Sequence, residues 1–267
     1  MSRFMDKKVK EHYEKEAKEY GNSKQFSMRD INIKDIEVKK IKEVISIIKS
    51  YLKGTDILEV GCGNGYTAEQ IINEIDIESI TGIDTCKKLI DIANKRKLKK
   101  AIFKENDILE LREQNSFDIV LSERCLINFS TWENQKKAIN NIHRLLKKGG
   151  IFIMIEGFSD SLQNLNDARN SIGLGSIPQA SHNLNFDRIK FLEYIDDKFI
   201  EFSEPLSYLE DCKNFLSSYY FGSRVIYPAL LKNPEKFEYN NKFIEFFRDI
   251  PAYGNYATIN MYILEKR

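Results

Sequence analysis

Hydrophobic positions between residues 56 and 155 fall into short continuous runs, and between these runs they recur every three or four residues. The continuous runs predict buried strands, and the recurring positions predict helices with one apolar face. Apolar strands that alternate with helices are typical of a parallel sheet covered on both faces. The predicted strands are residues 56–60, 79–83, 101–103, 117–121 and 151–155.

The pattern differs on either side of this block. Before it, apolar positions at helical spacing predict a helix with Asp35 as its N-cap and Gly54 at its end. After it, two helices and two strands are predicted over residues 162–174, 187–199, 199–202 and 255–264. Asp187 is the N-cap of the second of these helices. The whole pattern predicts an α/β fold with a doubly wound, mostly parallel seven-stranded sheet.

The ends of the pattern also suggest how the chain is divided. Residues 1–34 are polar with scattered aromatic side chains, and they predict a helix followed by a looser lid segment. Residues 205–250 are rich in aromatic side chains, and this stretch is too long and apolar for a plain loop. We predict a helical insertion there, which forms a cap. The remaining residues, 35–204 and 251–267, form the predicted main domain.

Composition narrows the class of protein. Of 267 residues, 42% are hydrophobic and 30% are charged, with a net charge of only +1. This balance gives no reason to expect nucleic acid or an anionic membrane as a partner. We expect no membrane span, since no apolar run reaches about 18 residues, and no signal peptide, since the N-terminus is charged. The four cysteines form no Cys-x-x-Cys pair, which indicates neither zinc nor disulfides. We expect a cytoplasmic monomer or homodimer.

A glycine-rich turn directly follows the first predicted strand. Gly61, Gly63 and Gly65 stand at alternate positions before a predicted helix that begins at Tyr66. A strand, a glycine turn and a helix N-terminus together form a cradle of backbone N–H groups for a ligand. A dinucleotide-binding turn would need a glycine in place of Tyr66, so no pyrophosphate is implied. Glu59, two residues before the first glycine, favours a cationic group such as an ammonium.

Two acids follow the next two predicted strands. Asp84 ends the second strand, where a carboxylate can accept hydrogen bonds from ribose hydroxyls. Asp107 follows the third strand and could accept a hydrogen bond from an adenine amine. Each acid could instead cap the helical turn that follows it. S-adenosylmethionine combines an ammonium, a ribose and an adenine without phosphate.

Taken together, these pieces resemble the class I S-adenosylmethionine-dependent methyltransferases. The segments that carry the resemblance occur in order and are residues 58–65, 82–84, 106–108, 117–122 and 145–150. The resemblance implies a Rossmann-like methyltransferase fold, S-adenosylmethionine as cofactor and S-adenosylhomocysteine as product. With two lid side chains added, the expected cofactor-binding residues are Tyr13, Arg29, Glu59, Gly61, Gly63, Gly65, Asp84, Asp107, Ile108 and Ser122.

A second resemblance concerns the acceptor. Similarity to methyltransferases of bacterial surface-polysaccharide (capsule and O-antigen) biosynthesis lies in residues 123–128, 155–157, 165–169, 182–183 and 219–230. It implies methylation of a hydroxyl on a sugar or on a phosphate-bearing sugar precursor. Two alternatives stay open. One is N-methylation of an aminosugar or small amine, and the other is a non-catalytic cofactor-binding subunit that needs a partner chain.

A sugar hydroxyl is a poor nucleophile, so its methylation benefits from a general base. The catalytic candidates are His182 in a loop between helices, Glu156 at the end of the fifth strand and Glu123 at the end of the fourth. We favour His182, because functional groups concentrate in loops and histidine titrates near neutral pH. A purely structural role is the alternative for each of them.

The predicted acceptor-binding residues are Arg124, Asn128, Asn183, Tyr219, Tyr220 and Arg224. Arg224 could clamp a phosphate or a carboxylate. Alternatively, it could hold its guanidinium in water above an aromatic helix surface. No metal is expected, because Arg124 beside the presumed site disfavours a cation.

Overall fold

The computed structural model describes residues 7–26, 28–202, 206–209, 211–231 and 237–267. The strands are β1 (Asp56–Val60), β2 (Ser79–Asp84), β3 (Ala101–Glu105), β4 (Phe117–Glu123), β5 (Leu146–Gly157), β6 (Phe199–Glu201) and β7 (Ile259–Lys266). The helices are α1 (Lys7–Tyr20), α2 (Ile31–Ile48), α3 (Tyr66–Glu74), α4 (Lys87–Asn94), α5 (Trp132–Leu145), α6 (Ser159–Ser171), α7 (Arg188–Ile195), α8 (Ser217–Phe221), α9 (Tyr227–Leu230) and α10 (Lys242–Phe246). None of the helices in these ranges is long and apolar enough to cross a membrane.

These seven strands form one sheet in the order β3-β2-β1-β4-β5-β7-β6. Of them, only β7 runs antiparallel to its neighbours, β5 and β6. The predicted doubly wound, mostly parallel seven-stranded sheet is therefore confirmed. The strand order reverses between β1 and β4, and ligands of such sheets bind in the crevice beyond the carboxyl ends of the strands at that point.

Two apolar layers cover the sheet, one on each face. Ile41 and Ile45 of α2 belong to the same buried cluster as Leu121 of β4. Val120, the preceding residue of the same strand, belongs to a second cluster that includes Ile142 of α5. Successive strand residues point to opposite faces, so β4 is packed on both. This explains why the central strands are continuous apolar runs rather than alternating ones.

Helix α2 begins at Ile31, five residues before the start predicted with Asp35 as N-cap, so that assignment of Asp35 is wrong. Asp30 is the N-cap residue, and its carboxylate makes no capping hydrogen bond to this helix. Asp35 lies within the helix and forms an ion pair with Lys24 at 2.9 Å. The helix therefore runs across the predicted lid boundary at residue 34. Asp187, in contrast, caps α7 as predicted by accepting a hydrogen bond from the Lys190 backbone N–H.

Strand β5 also begins earlier than predicted. Gly149 adopts a φ of +72°, and the predicted turn at residues 148–150 is part of the strand. A register shift in the pairing of β4 with β5, between Phe117 and Ile119, accommodates this start.

The predicted insertion lies between β6 and β7, and its described residues include the three helices α8, α9 and α10. Helix α8 continues without a break into a π-helical turn (Gly222–Ile226) and then into α9. A Cβ on Gly222 would collide with the Phe247 ring, so the absent side chain allows this helix to pack closely on the turn that follows α10.

Candidate active site

A pocket, named here the cofactor pocket, opens beyond the carboxyl ends of β1, β2 and β4. It is lined by Tyr13, Phe26, Val60, Gly61, Gly63, Ile83, Asp84, Thr85, Asn106, Asp107, Ile108, Glu123, Arg124, Cys125, Asn128 and Phe129. Seven of the ten expected cofactor-binding residues line this pocket or a narrower recess beside it, which also contains Lys34 and Glu59. The other three are Arg29, Gly65 and Ser122.

The glycine turn needs its glycines for different reasons. Gly61, Gly63 and Gly65 have φ values of +73°, +52° and +74°, which disfavour side chains. A Cβ on Gly61 would stand 2.6 Å from the Cys125 sulfur, and one on Gly63 would stand 2.7 Å from the Phe26 ring. Both neighbours line the cofactor pocket. At Gly65 the nearest atoms belong to the core, so this glycine serves helix packing.

Asp84 is held by two backbone N–H groups at the edge of the cofactor pocket, and Cys86 rather than Asp84 is the N-cap of α4. The Asp84 Oδ2 accepts a hydrogen bond from the Gly63 N–H at 3.0 Å, and its Oδ1 accepts one from the Cys86 N–H at 2.8 Å. Burial raises the pKa of Asp84 to about 6, although these amide hydrogen bonds act in the opposite direction. Asp84 thereby links the glycine turn to the start of α4, and it still faces the pocket.

Asp107 and Ile108 also line the cofactor pocket. Asp107 is buried, and its Oδ1 accepts a hydrogen bond from the Leu109 N–H at 2.9 Å. Asn141 of α5 donates a hydrogen bond to the Ile108 carbonyl at 2.7 Å. These contacts fix the loop after β3, so that an acid and an apolar side chain face the pocket together.

The structure of this pocket fits S-adenosylmethionine on two counts. Gly61 and Gly63 place bare backbone at the pocket, and the absence of a Cβ lets Cys125 and Phe26, which also line it, pack against the turn. Glu59 in the adjoining recess is 4% exposed, and its Oε2 has no hydrogen-bond partner among the described residues. Burial first, and then the charge of Glu123, raise the pKa of Glu59 to about 8. A buried carboxyl oxygen without a partner is costly, and a cationic ammonium would satisfy it.

Glu123 lies in a buried ion pair that the sequence analysis missed. Lys34 donates to its two carboxylate oxygens at 2.6 and 2.8 Å, and the Thr67 hydroxyl donates at 2.9 Å. Burial alone would raise the pKa of Glu123, but Lys34 and Arg124 hold it at about 2. A carboxylate of such low basicity is a weak general base. The signal for Lys34 was its position seven residues before Ile41 on the apolar face of α2.

Glu156 points into the fold rather than into the site. It is fully buried, and it accepts hydrogen bonds from the Ser122 hydroxyl and from the N–H groups of Cys125, Leu126 and Ile127 at 2.7–3.1 Å. Burial raises its pKa to about 7 against the effect of these donors. Among the described residues, neither Glu156 nor Ser122 lines the pockets at this edge. Their contacts give them a structural role, which is to shape the turn after β4.

A second pocket, named here the acceptor pocket, adjoins the first. Tyr13 and Arg124 line both. The other lining residues are His12, Glu16, Met28, Arg29, Ile127, Gly157, Leu162, Leu165, Ile177, Pro178, Gln179, Ala180, His182, Asn183, Asn185, Tyr220, Arg224, Thr258 and Ile259. Arg29, expected to contact the cofactor, therefore lies in the same pocket as most of the residues that were predicted to bind the acceptor. Asn128 lines the cofactor pocket, although it was expected to bind the acceptor.

The wall between the pockets is held in place by its own contacts. The Tyr13 hydroxyl donates to Asn128 Oδ1 at 3.2 Å, and Asn128 Nδ2 donates to the Arg124 carbonyl at 2.9 Å. Arg124 has a φ of +53°, and its guanidinium lies 3.3 Å from Glu37 and 3.4 Å from Glu123. Two buried acids thus fix a strained arginine between the two pockets.

His182 lies in the acceptor pocket and stacks on His12 of α1, with ring centroids 4.4 Å apart. Burial and the neighbouring His12 lower the pKa of His182. Its imidazole is therefore neutral at neutral pH and can accept a proton. Asn183 beside it has a buried Oδ1 to which no described residue donates a hydrogen bond.

Tyr219 and Tyr220 differ in their placement. Tyr220 lines the acceptor pocket, whereas Tyr219 is buried behind it and donates a hydrogen bond to Asp30 Oδ1 at 2.6 Å. The second oxygen of Asp30 accepts a hydrogen bond from Arg224 at 2.7 Å. Tyr219 therefore supports Arg224 through Asp30.

Comparison with known proteins agrees with this geometry. Residues 52–191, just over half of the chain, match the family described as a methyltransferase domain. The malonyl-(acyl-carrier protein) O-methyltransferase of Bacillus cereus is 29% identical over 135 residues, 49% of this chain and 49% of that protein. The malonyl-(acyl-carrier protein) O-methyltransferase 2 of Ilyobacter polytropus is 25% identical over 199 residues, 72% of this chain and 69% of that protein. The chain spans about half or less of the length of the Bacillus relatives that it matches.

Solved structures share the fold. A putative methyltransferase in complex with the Haloferax volcanii Trm112 activator has a TM-score of 0.57 at 13% identity, covering 96% of both chains. A TehB-like S-adenosylmethionine-dependent methyltransferase from Corynebacterium glutamicum has a TM-score of 0.51 at 17% identity, covering 87% of this chain and 88% of that one. The match over residues 52–191, together with the fold and the glycine turn, leads to one conclusion: the chain belongs to the methyltransferase domain family.

Proposed function

We propose that this protein is an S-adenosylmethionine-dependent methyltransferase and that it methylates an oxygen atom of a small molecule bound in the acceptor pocket. In this proposal the small molecule is a sugar or a phosphate-bearing sugar precursor of a surface polysaccharide. The observation that carries the proposal is the common wall of the two pockets, formed by Tyr13 and Arg124. When bound, the cofactor supplies a methyl group on a sulfonium. The protein mainly has to align the acceptor with it.

The segments that resemble methyltransferases of surface-polysaccharide biosynthesis support the sugar acceptor, because they meet at the acceptor pocket. Each of the five segments contributes at least one side chain or glycine to the lining of the acceptor pocket. The contributors are Arg124, Ile127, Gly157, Leu165, His182, Asn183, Tyr220 and Arg224. A surface assembled from these segments is where an acceptor specific to that class would be recognised.

His182 is the general base in this proposal. Its lowered pKa keeps it neutral, and it lines the pocket in which the acceptor hydroxyl would lie. Glu123 is neutralised by Lys34, and Glu156 is enclosed by its donors, so neither is retained as a base. The buried Asn183 Oδ1 is suited to accept a hydrogen bond from a second hydroxyl of the acceptor.

The relatives favour a second candidate, a carboxylate acceptor. The two relatives described above are both named as O-methyltransferases of malonyl-(acyl-carrier protein), and malonyl has a free carboxylate. A carboxylate oxygen is already ionised at neutral pH and needs no base, whereas a sugar hydroxyl does. The two candidates therefore differ in how much they depend on His182.

The test is methyl transfer from labelled cofactor to a panel of sugars, sugar phosphates, sugar nucleotides, malonyl-acyl-carrier protein and small amines. For a hydroxyl acceptor, His182→Ala should lower kcat by roughly 100-fold or more with an unchanged affinity for S-adenosylhomocysteine. His143→Ala is the matched control, since His143 packs on Phe199 away from both pockets. Transfer only to malonyl-acyl-carrier protein, unaffected by His182→Ala, would replace the sugar by the carboxylate. Transfer to amines alone would overturn both.

A further inference from the structure

We propose that the acceptor pocket contains an oxyanion subsite built on Arg224, which takes a carboxylate or phosphate group of the acceptor. The inference rests on the proposed function, because it specifies the chemistry of the molecule that occupies the same pocket. The shared chemistry is an anionic group with several acceptor oxygens, whether it comes from a phosphorylated or from a carboxylated acceptor.

Arg224 is held rigidly by contacts behind the pocket. Its Nη2 donates to Asp30 Oδ2 at 2.7 Å, and the guanidinium carbon lies 4.5 Å from the Tyr239 ring centroid and 5.4 Å from that of Tyr220. Tyr219 fixes the other oxygen of Asp30 at 2.6 Å. A guanidinium held on one side by a carboxylate and stacked on aromatic rings loses little freedom when it binds a ligand.

One nitrogen of this guanidinium has no partner within the described part of the chain. Arg224 is only 9% exposed and lines the acceptor pocket, yet its buried Nη1 donates no hydrogen bond there. An arginine that merely covers an aromatic surface keeps its charged head in water. The head of Arg224 is buried instead, and a buried donor without an acceptor is costly unless a ligand supplies one. An oxyanion is the strongest acceptor for it.

The backbone around Arg224 is also unusual. The residue lies in the π-helical turn between α8 and α9. Such turns interrupt α-helices rarely, and they occur often at functional sites because they redirect a side chain. The Arg224 carbonyl is further bound by the guanidinium of Arg169 from α6. Several contacts therefore fix the position of Arg224.

The charges of the pocket agree with an anionic occupant. Its described lining includes three arginines and one glutamate, Glu16. Arg124 is balanced by Glu37 and Glu123, and Arg224 by Asp30. Arg29 adds a further positive charge at the exposed side of the pocket. Because Arg124 is at the wall next to the cofactor pocket, an acceptor anchored at Arg224 can direct its other end toward the cofactor.

The test measures binding of inorganic phosphate and of malonate by titration calorimetry, in chloride buffer with saturating S-adenosylhomocysteine. Four proteins are compared: wild type, Asp30→Asn, the double variant Asp30→Asn/Arg224→Met, and Arg112→Met. The double variant removes the ion pair as a unit and leaves no buried charge alone, and the amide that replaces the Asp30 carboxylate can still accept from Tyr219. Arg112 is exposed and is not among the lining residues of the cofactor pocket or the acceptor pocket, so its variant controls for long-range charge.

We expect saturable binding of at least one of the two anions to wild type. Asp30→Asn should bind it as tightly or more tightly, because a second guanidinium nitrogen becomes available. The double variant should bind at least about tenfold more weakly, and Arg112→Met should match wild type. Binding of phosphate alone or of malonate alone identifies which group the acceptor bears. A structural role for Arg224 would instead make both Asp30 variants lose binding together.

The inference is overturned if neither anion binds wild type saturably, or if the double variant binds as well as wild type does. Its failure is separable from failure of the proposed function. Loss of the anion site with intact S-adenosylhomocysteine binding and methyl transfer removes only the subsite. If wild type does not bind S-adenosylhomocysteine at all, the methyl-transfer proposal fails first, whatever the anions do.

Discussion

At the scale of single residues, Gly63 shows how an absent side chain shapes the cofactor pocket. Its Cβ would meet the Phe26 ring at 2.7 Å, and its φ is +52°. Phe26 is buried, belongs to the segment between α1 and α2, and lines the cofactor pocket. The glycine therefore admits both a ligand and the aromatic ring that covers it.

Replacement of Gly63 by alanine should weaken S-adenosylhomocysteine binding by at least about tenfold. The methyl group displaces Phe26, and the positive φ adds strain of about 1 kcal/mol. Gly173→Ala is the matched control, because Gly173 has a φ of +78° but no described atom within 4 Å of its Cβ position. It shares the strain without the collision, so its affinity should stay within about threefold of wild type. Equal losses in both variants, measured by calorimetry, would contradict this role of Phe26.

At the scale of elements, the connection between α1 and α2 lies over the glycine turn and is tied to it. Asn64 Nδ2 donates to the carbonyls of Gly21 and Ser23, each at 3.0 Å. Arg96, just after α4, donates to the Asn64 carbonyl at 2.6 Å and to the Asn22 carbonyl at 3.1 Å. The glycine turn and its cover are thus joined by two buried polar side chains.

Removal of this tie should speed the release of the cofactor product. In Arg96→Met the cover loses its bond to α4, so we expect the dissociation rate of S-adenosylhomocysteine to rise by roughly tenfold. Lys88→Met is the control, since it removes the contact of α4 with Glu14 of α1, an exposed ion pair at 3.4 Å. Stopped-flow measurements should show little change for that variant. Identical rates in wild type and Arg96→Met would show that the tie does not limit release.

At the scale of the whole molecule, several acids are buried close to the site. Burial raises the pKa of Glu37 and of Glu59 to about 8 and that of Glu156 to about 7, against an ordinary value of 4.5. An acid whose pKa is higher in the folded state stabilises the fold fully only below its unfolded pKa. This stabilisation is lost as the pH rises through the folded pKa. Glu123 has the opposite shift, but its effect is confined to pH values below about 4.5.

The free energy of unfolding of the cofactor-free protein should therefore fall between pH 5 and pH 8. Each raised acid contributes up to about 1.4 kcal/mol per pH unit. Glu59→Gln should flatten this dependence, whereas Glu105→Gln, an exposed change on β3, should not. Saturating S-adenosylhomocysteine should also reduce the fall if its ammonium pairs with ionised Glu59. Urea unfolding at four pH values tests this, and a flat or rising free energy would contradict it.

The sequence by itself determined the features that depend on residues close together in the chain. Strand and helix alternation follows from hydrophobic periodicity, and it was enough for the sheet and for the place of the glycine turn. Asp84 and Asp107 could be located because Asp84 is the last residue of β2 and Asp107 lies two residues after β3, and the carboxyl ends of parallel strands meet at one edge. The start of α2 was predicted wrongly. Asp35 has the local features of an N-cap, but the N-cap of this helix is Asp30.

Tertiary structure alone decided which polar side chains meet. Arg224 and Asp30 are 194 residues apart in the chain, and Lys34 and Glu123 are 89 apart. Periodicity indicates that such a side chain lies on an inner face, but it does not indicate its partner. Glu156 was expected at the site because it lies near a strand end, yet its carboxylate is bound by amides on the turn after β4. Packing across the sheet sets these pairings, and with them which charges remain available to a ligand.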